Sequence, residues 1–404
     1  MEIEQAPRRT PMPFSRRKLD RRAVDVLKRL QEAGHETYFV GGCVRDLLLG
    51  RQPKDFDLAT SASPNQVRRL FRRSRIIGRR FKLVHVYAGR QVYEVATFRS
   101  APEEAIGEEV QVIRDDNTFG TAREDALRRD FRVNGLFLDP VASEIVDWVD
   151  GLADIRNRRL SAIGDPLRRF QEDPVRILRL VKFMRRLGLE PGEAEVAAAQ
   201  EVAPLLVESA PPRVVEEVFR LALTGDLAGV LEDLTALEVL HLVLPDLAGW
   251  LERGGDRFDL LVARVERLDE WIRDGGEPSY GLRLAMLYGP FVEEELRPEG
   301  RTVQARDGAS VPSVVFSALQ RRARLPRAVL NRATRILQAQ ARMDPALDFR
   351  KRRRRRSAPD WMLQQDFFAE ALECLRCRLE ADGRELDLYD EWHERALFME
   401  DRPG

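Results

Sequence analysis

Cysteine is scarce in this chain of 404 residues, which contains only three. Three thiols cannot form a disulfide framework, so the count favours a reducing compartment, and we expect a cytoplasmic protein. Cys374 and Cys377 have CxxC spacing, but the surrounding stretch is typical of a helix and no second pair follows it. With His393 as the one further ligand nearby, the spacing favours two helical cysteines over a zinc site.

Long apolar runs are also missing. No segment approaches the roughly 18 apolar residues that cross a bilayer, and no signal-peptide core follows Met1, so we expect no membrane partner. Neither sign of charge is in excess, because 67 basic residues balance 67 acidic residues. The basic residues are clustered, so the neutral total conceals basic patches. With 44% apolar residues the chain can bury a large core, divided among about two to four domains or subdomains.

The most informative segment places two glycines between a strand and a helix. Residues 37–40 have a β pattern and end at Gly41 and Gly42, and a short helix is predicted at about residues 44–49. Glycine lacks a Cβ atom, so the backbone N–H groups of such a turn can approach an anion closely. The turn suits a triphosphate, although two glycines before a helix also form ordinary tight turns.

Two aspartates follow this turn. Asp55 and Asp57 are two positions apart in a predicted strand, so both side chains are expected on one face. Carboxylate oxygens are ligands that Mg²⁺ prefers, which makes the pair a candidate metal site. An Asp-x-Asp sequence also occurs in solvated turns, but the order of strand, Gly-Gly, Arg-Asp and Asp-x-Asp favours a catalytic site.

A third carboxylate is predicted on a β-hairpin formed by residues 81–88 and 91–98. Glu94 has Val92 and Ala96 two positions to either side, so it interrupts an apolar face. A carboxylate on a buried face must pair or bind a metal ion. If this strand lies beside the aspartate segment, Glu94 completes a three-carboxylate site. In the alternative, this face is exposed and Glu94 is solvated.

These segments resemble a known family. Residues 41–51 and 54–57 are similar to the first motif of the class II nucleotidyltransferases, the family of bacterial poly(A) polymerases and CCA-adding enzymes. Residues 128–131, with Asn134, resemble the ribose-reading segment of that family, and residues 172–176 resemble its base-reading segment. The three motifs occur in the order of the family, whereas the rest of the chain matches only loosely.

The resemblance implies a metal-dependent mechanism. Asp55, Asp57 and Glu94 are the implied ligands of two Mg²⁺ ions, of which one activates a primer 3′-hydroxyl and the other stabilises the pyrophosphate that leaves. No histidine base is required. Arg45 is expected to add a fixed cation near the phosphates of ATP.

The second motif is expected to read the sugar. Asp130 could accept a hydrogen bond from a ribose hydroxyl, and Arg129 and Asn134 could reach phosphate or sugar oxygens. Two positions depart from the family pattern, because Arg132 stands where threonine is usual and Gly135 where alanine or serine is usual. These departures put the local packing and the turnover in question.

The third motif is the candidate base reader. Asp173 precedes a proline and is predicted to cap a helix, and Arg176 follows three residues later, so both side chains could meet at the helix N-terminus. An acceptor beside a donor suits adenine or cytosine and fits uracil or guanine poorly. The pair does not separate an A-adding enzyme from a CCA-adding one. A helix cap beside a solvated arginine is the alternative.

The apolar periodicity predicts an α+β protein, with a small mixed head that contains a β-sheet and an all-helical remainder. Helices are predicted at residues 21–33, 64–71, 174–187, 212–223, 227–240, 258–273 and 326–341, and a loop at residues 101–117. The expected parts are a mobile basic arm (1–20), a nucleotidyltransferase head (21–150), a helical neck with the base-reading segment (151–225), an RNA-binding helical body (226–345) and an Arg-rich run with C-terminal helices (346–404).

An uninterrupted basic run near the C-terminus predicts contact with RNA. Such a run attracts phosphates without reading sequence, although a solubilising tail has the same composition. Its proposed RNA-binding residues are Arg352, Arg353, Arg354, Arg355 and Arg356. The run and the basic arm favour a poly(A) polymerase that adds AMP from ATP to RNA 3′ ends. A CCA-adding or A-adding tRNA enzyme and an inactive RNA-binding homologue remain the alternatives.

Overall fold

The computed structural model describes residues 6–78, 82–100, 119–297, 310–323, 325–347 and 360–400. The chain divides into two compact units, one formed by residues 1–169 and 189–198 and the other by residues 170–188 and 199–404. The finer five-part division that the sequence predicts stays a prediction. The loop predicted at residues 101–117 lies outside the described residues.

The first unit is built on a sheet of eight strands. These are β1 (Arg8–Pro11), β2 (Thr37–Val40), β3 (Leu58–Thr60), β4 (Ser74–Ile77), β5 (Leu83–Ala88), β6 (Gln91–Thr97), β7 (Leu136–Asp139) and β8 (Glu144–Asp147). Their order across the sheet is β1-β8-β7-β2-β3-β6-β5-β4. Strands β3 and β6 pair in parallel, and the other neighbours pair antiparallel. Two further strands, β9 (Arg159–Leu160) and β10 (Glu190–Pro191), form a short parallel pair.

Helices cover both faces of the central strands. Along β2, Phe39 packs into one buried apolar cluster and Tyr38 into another, and along β3 Leu58 and Ala59 alternate in the same way. Because both faces of these short strands are buried, their sequences do not show the alternation of apolar and polar residues that a half-exposed strand shows. The helices of this unit are α1 (Arg21–Glu32), α2 (Gly42–Leu48), α3 (Pro64–Leu70), α4 (Ala122–Leu127) and α5 (Gly151–Asn157). The division between the units falls within α6 (Pro166–Glu172) and α8 (Glu193–Val202).

Local sequence signals explain several boundaries in this unit. Asp20 caps α1 by accepting a hydrogen bond from the N–H of Ala23 at 2.9 Å. Ser63 and Gln66 form a reciprocal capping box at the start of α3, and Pro64 is its first residue. Strands β5 and β6 form the predicted hairpin, and Gly89 in its turn has a positive φ of 68°.

The N-terminal segment is more ordered than predicted. Strand β1 pairs with β8 at the edge of the sheet, and Arg9 forms an ion pair with Glu144 at 3.1 Å. The prediction of a mobile arm over residues 1–20 is therefore wrong for the residues that the structure describes. Proline and arginine are weak strand formers, but Pro11 is the last residue of an edge strand, where proline is tolerated.

The second unit is helical. Its remaining helices are α7 (Val175–Leu187), α9 (Pro211–Leu221), α10 (Leu227–Ala236), α11 (Leu240–Val243), α12 (Pro245–Leu251), α13 (Arg257–Arg273), α14 (Tyr280–Leu296), α15 (Val311–Ala323), α16 (Arg327–Met343), α17 (Phe368–Ala381) and α18 (Asp387–Glu400). The predicted α+β class, a sheet-containing head followed by helices, is confirmed. Cys374 and Cys377 lie buried on α17, as predicted, and burial raises the pKa of each thiol to about 12. Among the described residues, no helix is long and apolar enough to cross a membrane.

Candidate active site

The Gly-Gly turn leaves the central strand β2 in a conformation that requires glycine. Gly41 has φ 68° and ψ −127°, which residues with a Cβ atom rarely adopt. A Cβ atom at this position would also lie 3.0 Å from Nη1 of Arg129. The first and second predicted motifs therefore meet at this turn. Gly42 follows as the first residue of α2.

The two aspartates lie in the segment that enters β3. This strand begins at Leu58, so the prediction that Asp55 and Asp57 are part of the strand is wrong by a few residues. The alternation nevertheless holds, because Phe56 is buried between an exposed Asp55 and a half-buried Asp57. The Phe56 ring packs edge-on against Phe39, with the ring centroids 5.4 Å apart. This contact fixes the segment from the apolar side and leaves the carboxylates on the other.

Glu94 lies beside Asp57 because β3 and β6 are parallel neighbours. Leu58 is in register with Val95, which places the residues that precede them next to each other. The expectation that Glu94 interrupts a buried face is wrong, since the residues at 92 and 94 are exposed and the opposite face packs into the core. Glu94 instead lies 3.4 Å from Nε2 of His85, its cross-strand partner on β5.

The three carboxylates are close enough to interact electrostatically. Burial and the negative charges of Glu94 and Asp55 together raise the pKa of Asp57 to about 6, although the charge of Arg129 acts in the opposite direction. A carboxylate set of this kind fits a hard cation such as Mg²⁺. As their side chains stand, no three described His, Cys, Asp or Glu residues converge on one metal position.

Arg129 is held by a residue that the sequence analysis missed. Asp125 is buried on α4, one turn before Arg129, and accepts a hydrogen bond from its Nη2 at 2.8 Å. Burial raises the pKa of Asp125, but the charges of Arg129 and Arg128 outweigh this effect and hold the pKa below its usual range. The i, i+4 spacing after the Thr121 capping box is the signal that could have identified Asp125.

Asn134 joins the first two motifs. Its side-chain oxygen accepts a hydrogen bond from Nη1 of Arg45 at 2.6 Å, and its amide nitrogen donates to Asp130 at 2.9 Å. Arg45 is buried and also donates to Asp46 at 2.7 and 2.8 Å. The guanidinium therefore holds Asn134 in place, and direct contact of Arg45 with phosphate stays a prediction.

Gly135, one of the two departures from the family pattern, has a packing explanation. A Cβ atom here would lie 2.7 Å from Cγ2 of Val149 and 3.2 Å from Cδ1 of Ile163. These side chains fill the space that an alanine or serine side chain would need. Arg132 is half-buried in the short 3₁₀ turn Arg132–Asn134, and its N–H donates to the carbonyl of Ser161 at 2.9 Å. Burial raises the pKa of Asp154, and the positive charge of Arg132 partly opposes this rise, which a threonine could not do.

The base-reading pair belongs to the second unit. Helix α7 starts at Val175 without a side-chain cap, so the prediction that Asp173 caps it is wrong. The carboxylate of Asp173 instead accepts from Arg213 at 2.6 Å, and Arg176 donates to Glu172 at 3.0 Å. The two side chains are thus near one another in sequence but bound to different partners. The Oδ1 atom of Asp173 is buried and accepts no hydrogen bond from the described residues.

The RNA-binding residues predicted at Arg352, Arg353, Arg354, Arg355 and Arg356 lie outside the described residues. His85 was not predicted as a site residue either, because a single histidine in a strand is more often structural than functional. Arg213 was missed because forty residues separate it from Asp173, and single-sequence patterns do not reveal such pairs.

Comparisons with known proteins agree with the motifs. A family model described as the poly(A) polymerase head domain matches residues 37–161. Poly(A) polymerase I of Haemophilus influenzae is 33% identical over 398 residues, which cover 94% of this chain and 85% of that protein. The CCA-adding enzyme of Bacillus pumilus is 40% identical over 179 residues, or 44% of each chain. The crystal structure of the Bacillus stearothermophilus CCA-adding enzyme in complex with CTP has a TM-score of 0.68 and 28% identity, over 93% of this chain and 80% of that chain.

The similarity to poly(A) polymerase I extends over nearly the whole chain. It is accompanied by a matching head domain and by a fold shared with a solved CCA-adding enzyme. The protein therefore belongs to the nucleotidyltransferase family that contains bacterial poly(A) polymerases and CCA-adding enzymes.

Proposed function

We propose that this protein adds AMP from ATP to RNA 3′ ends without a template, in the processing of RNA, including mRNA, in the cytoplasm. The observation that carries the proposal is the extent of similarity. The match to Haemophilus influenzae poly(A) polymerase I covers 94% of the chain, whereas the match to the Bacillus pumilus CCA-adding enzyme covers 44%. The part beyond the catalytic motifs thus also resembles a polymerase.

The reaction is a substitution at phosphorus. The 3′-hydroxyl of the RNA loses its proton and attacks the α-phosphorus of ATP, and the bond from that phosphorus to the β-phosphate oxygen breaks. The products are RNA longer by one AMP and pyrophosphate. Asp55, Asp57 and Glu94 are the residues that would hold Mg²⁺. When bound, Mg²⁺ lowers the pKa of the attacking hydroxyl and stabilises the charge of the leaving pyrophosphate.

The network around Asn134 suits the nucleotide. The backbone N–H groups of the turn at Gly41 and Gly42 are proposed to donate to phosphate oxygens, and Arg129 supplies a cation that Asp125 keeps in place. Asp130 is positioned by the amide of Asn134. Its carboxylate is proposed to accept a hydrogen bond from a ribose hydroxyl, which favours ribonucleotides over deoxynucleotides.

Asp173 is the proposed reader of the base. Within the described part of the chain its buried Oδ1 has no hydrogen-bond partner, and a buried acceptor without a donor is unfavourable by about 1–3 kcal/mol. The exocyclic amino group of adenine or cytosine can supply the missing donor. Arg176 is proposed to donate to the ring nitrogen beside that amino group.

CCA addition is the second candidate, favoured by the 0.68 TM-score to the Bacillus stearothermophilus CCA-adding enzyme. One assay separates the possibilities. The protein is incubated with Mg²⁺ and each nucleoside triphosphate separately, on an unstructured RNA and on a tRNA-like hairpin that lacks its CCA end. We expect long extension of the unstructured RNA with ATP alone. Addition confined to the tRNA-like RNA and limited to three nucleotides would replace this function with CCA addition, and no addition at all would indicate an inactive RNA-binding homologue.

A further inference from the structure

The first unit also contains a polar cleft that reaches Asp55. This cleft of about 400 Å³ is lined by three segments, residues 17–20, 52–56 and 91–93. Its volume is within the range of small-molecule sites, which run from about 300 to 1,000 Å³. Asp55 lines this cleft, whereas Asp57, Gly41 and Arg129 do not.

Asp55 and Asp57 thus have different surroundings. Arg129 acts on the charge of Asp57 and lies beside the Gly41 turn. Asp55 opens instead onto the cleft. A displacement at phosphorus requires the attacking oxygen and the leaving oxygen roughly in line, on opposite sides of the reacting atom. If ATP phosphates occupy the side of the Gly-Gly turn, the RNA 3′ end must enter from the other side.

Three cationic and two acidic side chains line the cleft, so its formal charge is positive. Arg17, Lys18 and Lys54 line it, are exposed, and have no ion pair among the described residues. The acidic residues are Asp55 and Asp20, and the carboxylate of Asp20 is held at the wall of the cleft by capping α1 and by accepting a hydrogen bond from the Tyr93 hydroxyl at 2.8 Å. Exposed cations without carboxylate partners suit an anion with several phosphates.

The turn that presents Arg17 and Lys18 is anchored at both ends. Arg16 donates to the carbonyl of Val141 at 2.9 Å and to the hydroxyl of Ser143 at 3.0 Å. On the other side, Leu19 is buried in the core of the unit. The two cations therefore project from a fixed 3₁₀ turn, Arg16–Lys18, and not from a loose tail.

We propose that this cleft binds the 3′-terminal segment of the RNA primer, with Arg17, Lys18 and Lys54 on its phosphates and its 3′-hydroxyl directed to Asp55. The proposal rests on the function proposed above. It gives the basic N-terminal segment a role in holding the RNA primer, separate from the Arg-rich run near the C-terminus. Contacts with phosphates carry no sequence information, which suits an enzyme that accepts unrelated RNA ends.

The test compares a variant that lacks two positive charges of the cleft with a control variant that lacks two positive charges elsewhere on the surface. The cleft variant is R17Q/K18Q, and Lys54 is left intact because it adjoins Asp55. The control variant is R21Q/K28Q, which removes two exposed cations of α1 that do not line the cleft. Equilibrium binding of a short unstructured RNA is measured by fluorescence anisotropy in EDTA at several salt concentrations, and KM values for RNA and ATP are measured in Mg²⁺.

We expect the cleft variant to bind RNA about 5- to 30-fold more weakly and to have a salt slope shallower by about 1.4, or roughly 0.7 for each phosphate that the protein no longer neutralises. Its KM for RNA should rise while its KM for ATP stays within about twofold, and the control should match the wild type. Unchanged RNA binding, or an equal loss of affinity in the control, overturns the proposal. A rise in the KM for ATP instead assigns the cleft to the triphosphate. A wild-type protein that binds RNA but extends none contradicts the proposed function, while the binding comparison still decides the role of the cleft.

Discussion

The pKa of Asp57 depends strongly on the residues around it. Its pKa is raised to about 6 by burial and by the charges of Glu94 and Asp55, so its charged form is less favourable than that of an ordinary aspartate, and a nearby cation would stabilise it. At this scale a change of one atom is informative, because asparagine has nearly the same shape as aspartate but cannot supply the charge.

We predict that Asp57→Asn and Asp55→Asn each lower kcat/KM for AMP addition by at least about 100-fold, because losing about 3 kcal/mol of charge stabilisation has that effect. Extension of an RNA primer in Mg²⁺ measures the loss, and circular dichroism confirms the fold. Asp25→Asn, on the surface of α1, is the matched control. Retained addition in both site variants would remove these residues from the chemistry.

Gly135 offers a second prediction, because Val149 occupies the space beside it. Gly135→Ala should lower the free energy of unfolding by about 1–3 kcal/mol through overpacking. Its φ of −87° is ordinary for alanine, so backbone strain is not the cause. Urea denaturation measures the loss, and the double variant with Val149→Ala should recover part of it. If the stability losses of the two single variants simply add in the double variant, the two positions do not interact.

The base-reading hypothesis also belongs to single residues. Arg176→Ala should reduce the preference for ATP over UTP and GTP more than it reduces the rate of addition with ATP. The ratios of kcat/KM for the separate nucleotides measure this preference. Arg186→Ala, which removes an exposed arginine at the far end of α7, should leave the ratios unchanged. If Arg176→Ala leaves them unchanged as well, the residue does not read the base.

At the scale of elements, Asp269 links two helices. It lies on α13, and its carboxylate accepts hydrogen bonds from the N–H groups of Leu227 and Ala228 at the start of α10. Burial raises its pKa to about 6, although those two hydrogen bonds act in the opposite direction. An acid whose pKa is raised in the folded state binds more protons when folded, so its contribution to stability falls as the pH rises from about 4 to about 6.

Asp269→Asn should therefore gain stability relative to the wild type as the pH rises from 4.5 to 7.5. The relative gain should be about 2 kcal/mol, because the full shift of about 2 pKa units corresponds to about 3 kcal/mol and about a third of it is already reached at pH 4.5. Urea denaturation of both proteins at the two pH values measures it, and groups common to both cancel in the difference. A difference that is constant with pH would show that Asp269 is charged throughout.

The elements that the sequence predicted well have clear local signals. The stripe of α1, the capping residues of α3 and the hairpin of β5 and β6 each depend on neighbouring residues in the chain. Helix α14 had no such signal, because it is buried on nearly every side and contains Pro290, so it shows neither an amphipathic stripe nor a continuous helical composition. Strand β1 was not predicted because it forms by pairing with β8, which lies more than 130 residues away in the sequence.

The same distinction applies to the candidate site. The sequence predicted the Gly-Gly turn, the carboxylates and the residues of the second motif, and these lie close together in the first unit. It did not predict that Arg45 is buried against Asn134, nor that Glu94 lies on an exposed face. Both depend on which strands are neighbours, and strand order is a property of the whole sheet.

At the scale of the molecule, net neutrality conceals the distribution of charge. The sequence places five consecutive arginines at positions 352–356, outside the described residues. If these arginines bind RNA phosphates, replacing all five with serine should weaken binding of unstructured RNA and make the salt slope shallower by about 2 to 3, at roughly 0.7 for each phosphate. RNA titrations at several salt concentrations measure the slope. An unchanged slope would identify the run as a solubilising segment.

The hydrogen bond between Arg45 and Asn134 spans 89 positions in sequence, and this has a consequence for synthesis. At about 5–20 residues per second, a ribosome needs roughly 4 to 18 s to advance from the first residue to the second. During that interval the Arg45 guanidinium lacks the asparagine, and β2 lacks its neighbour β7. The central part of the sheet cannot close while the chain is still short. The nascent head is therefore exposed to proteases and chaperones until β7 has left the exit tunnel.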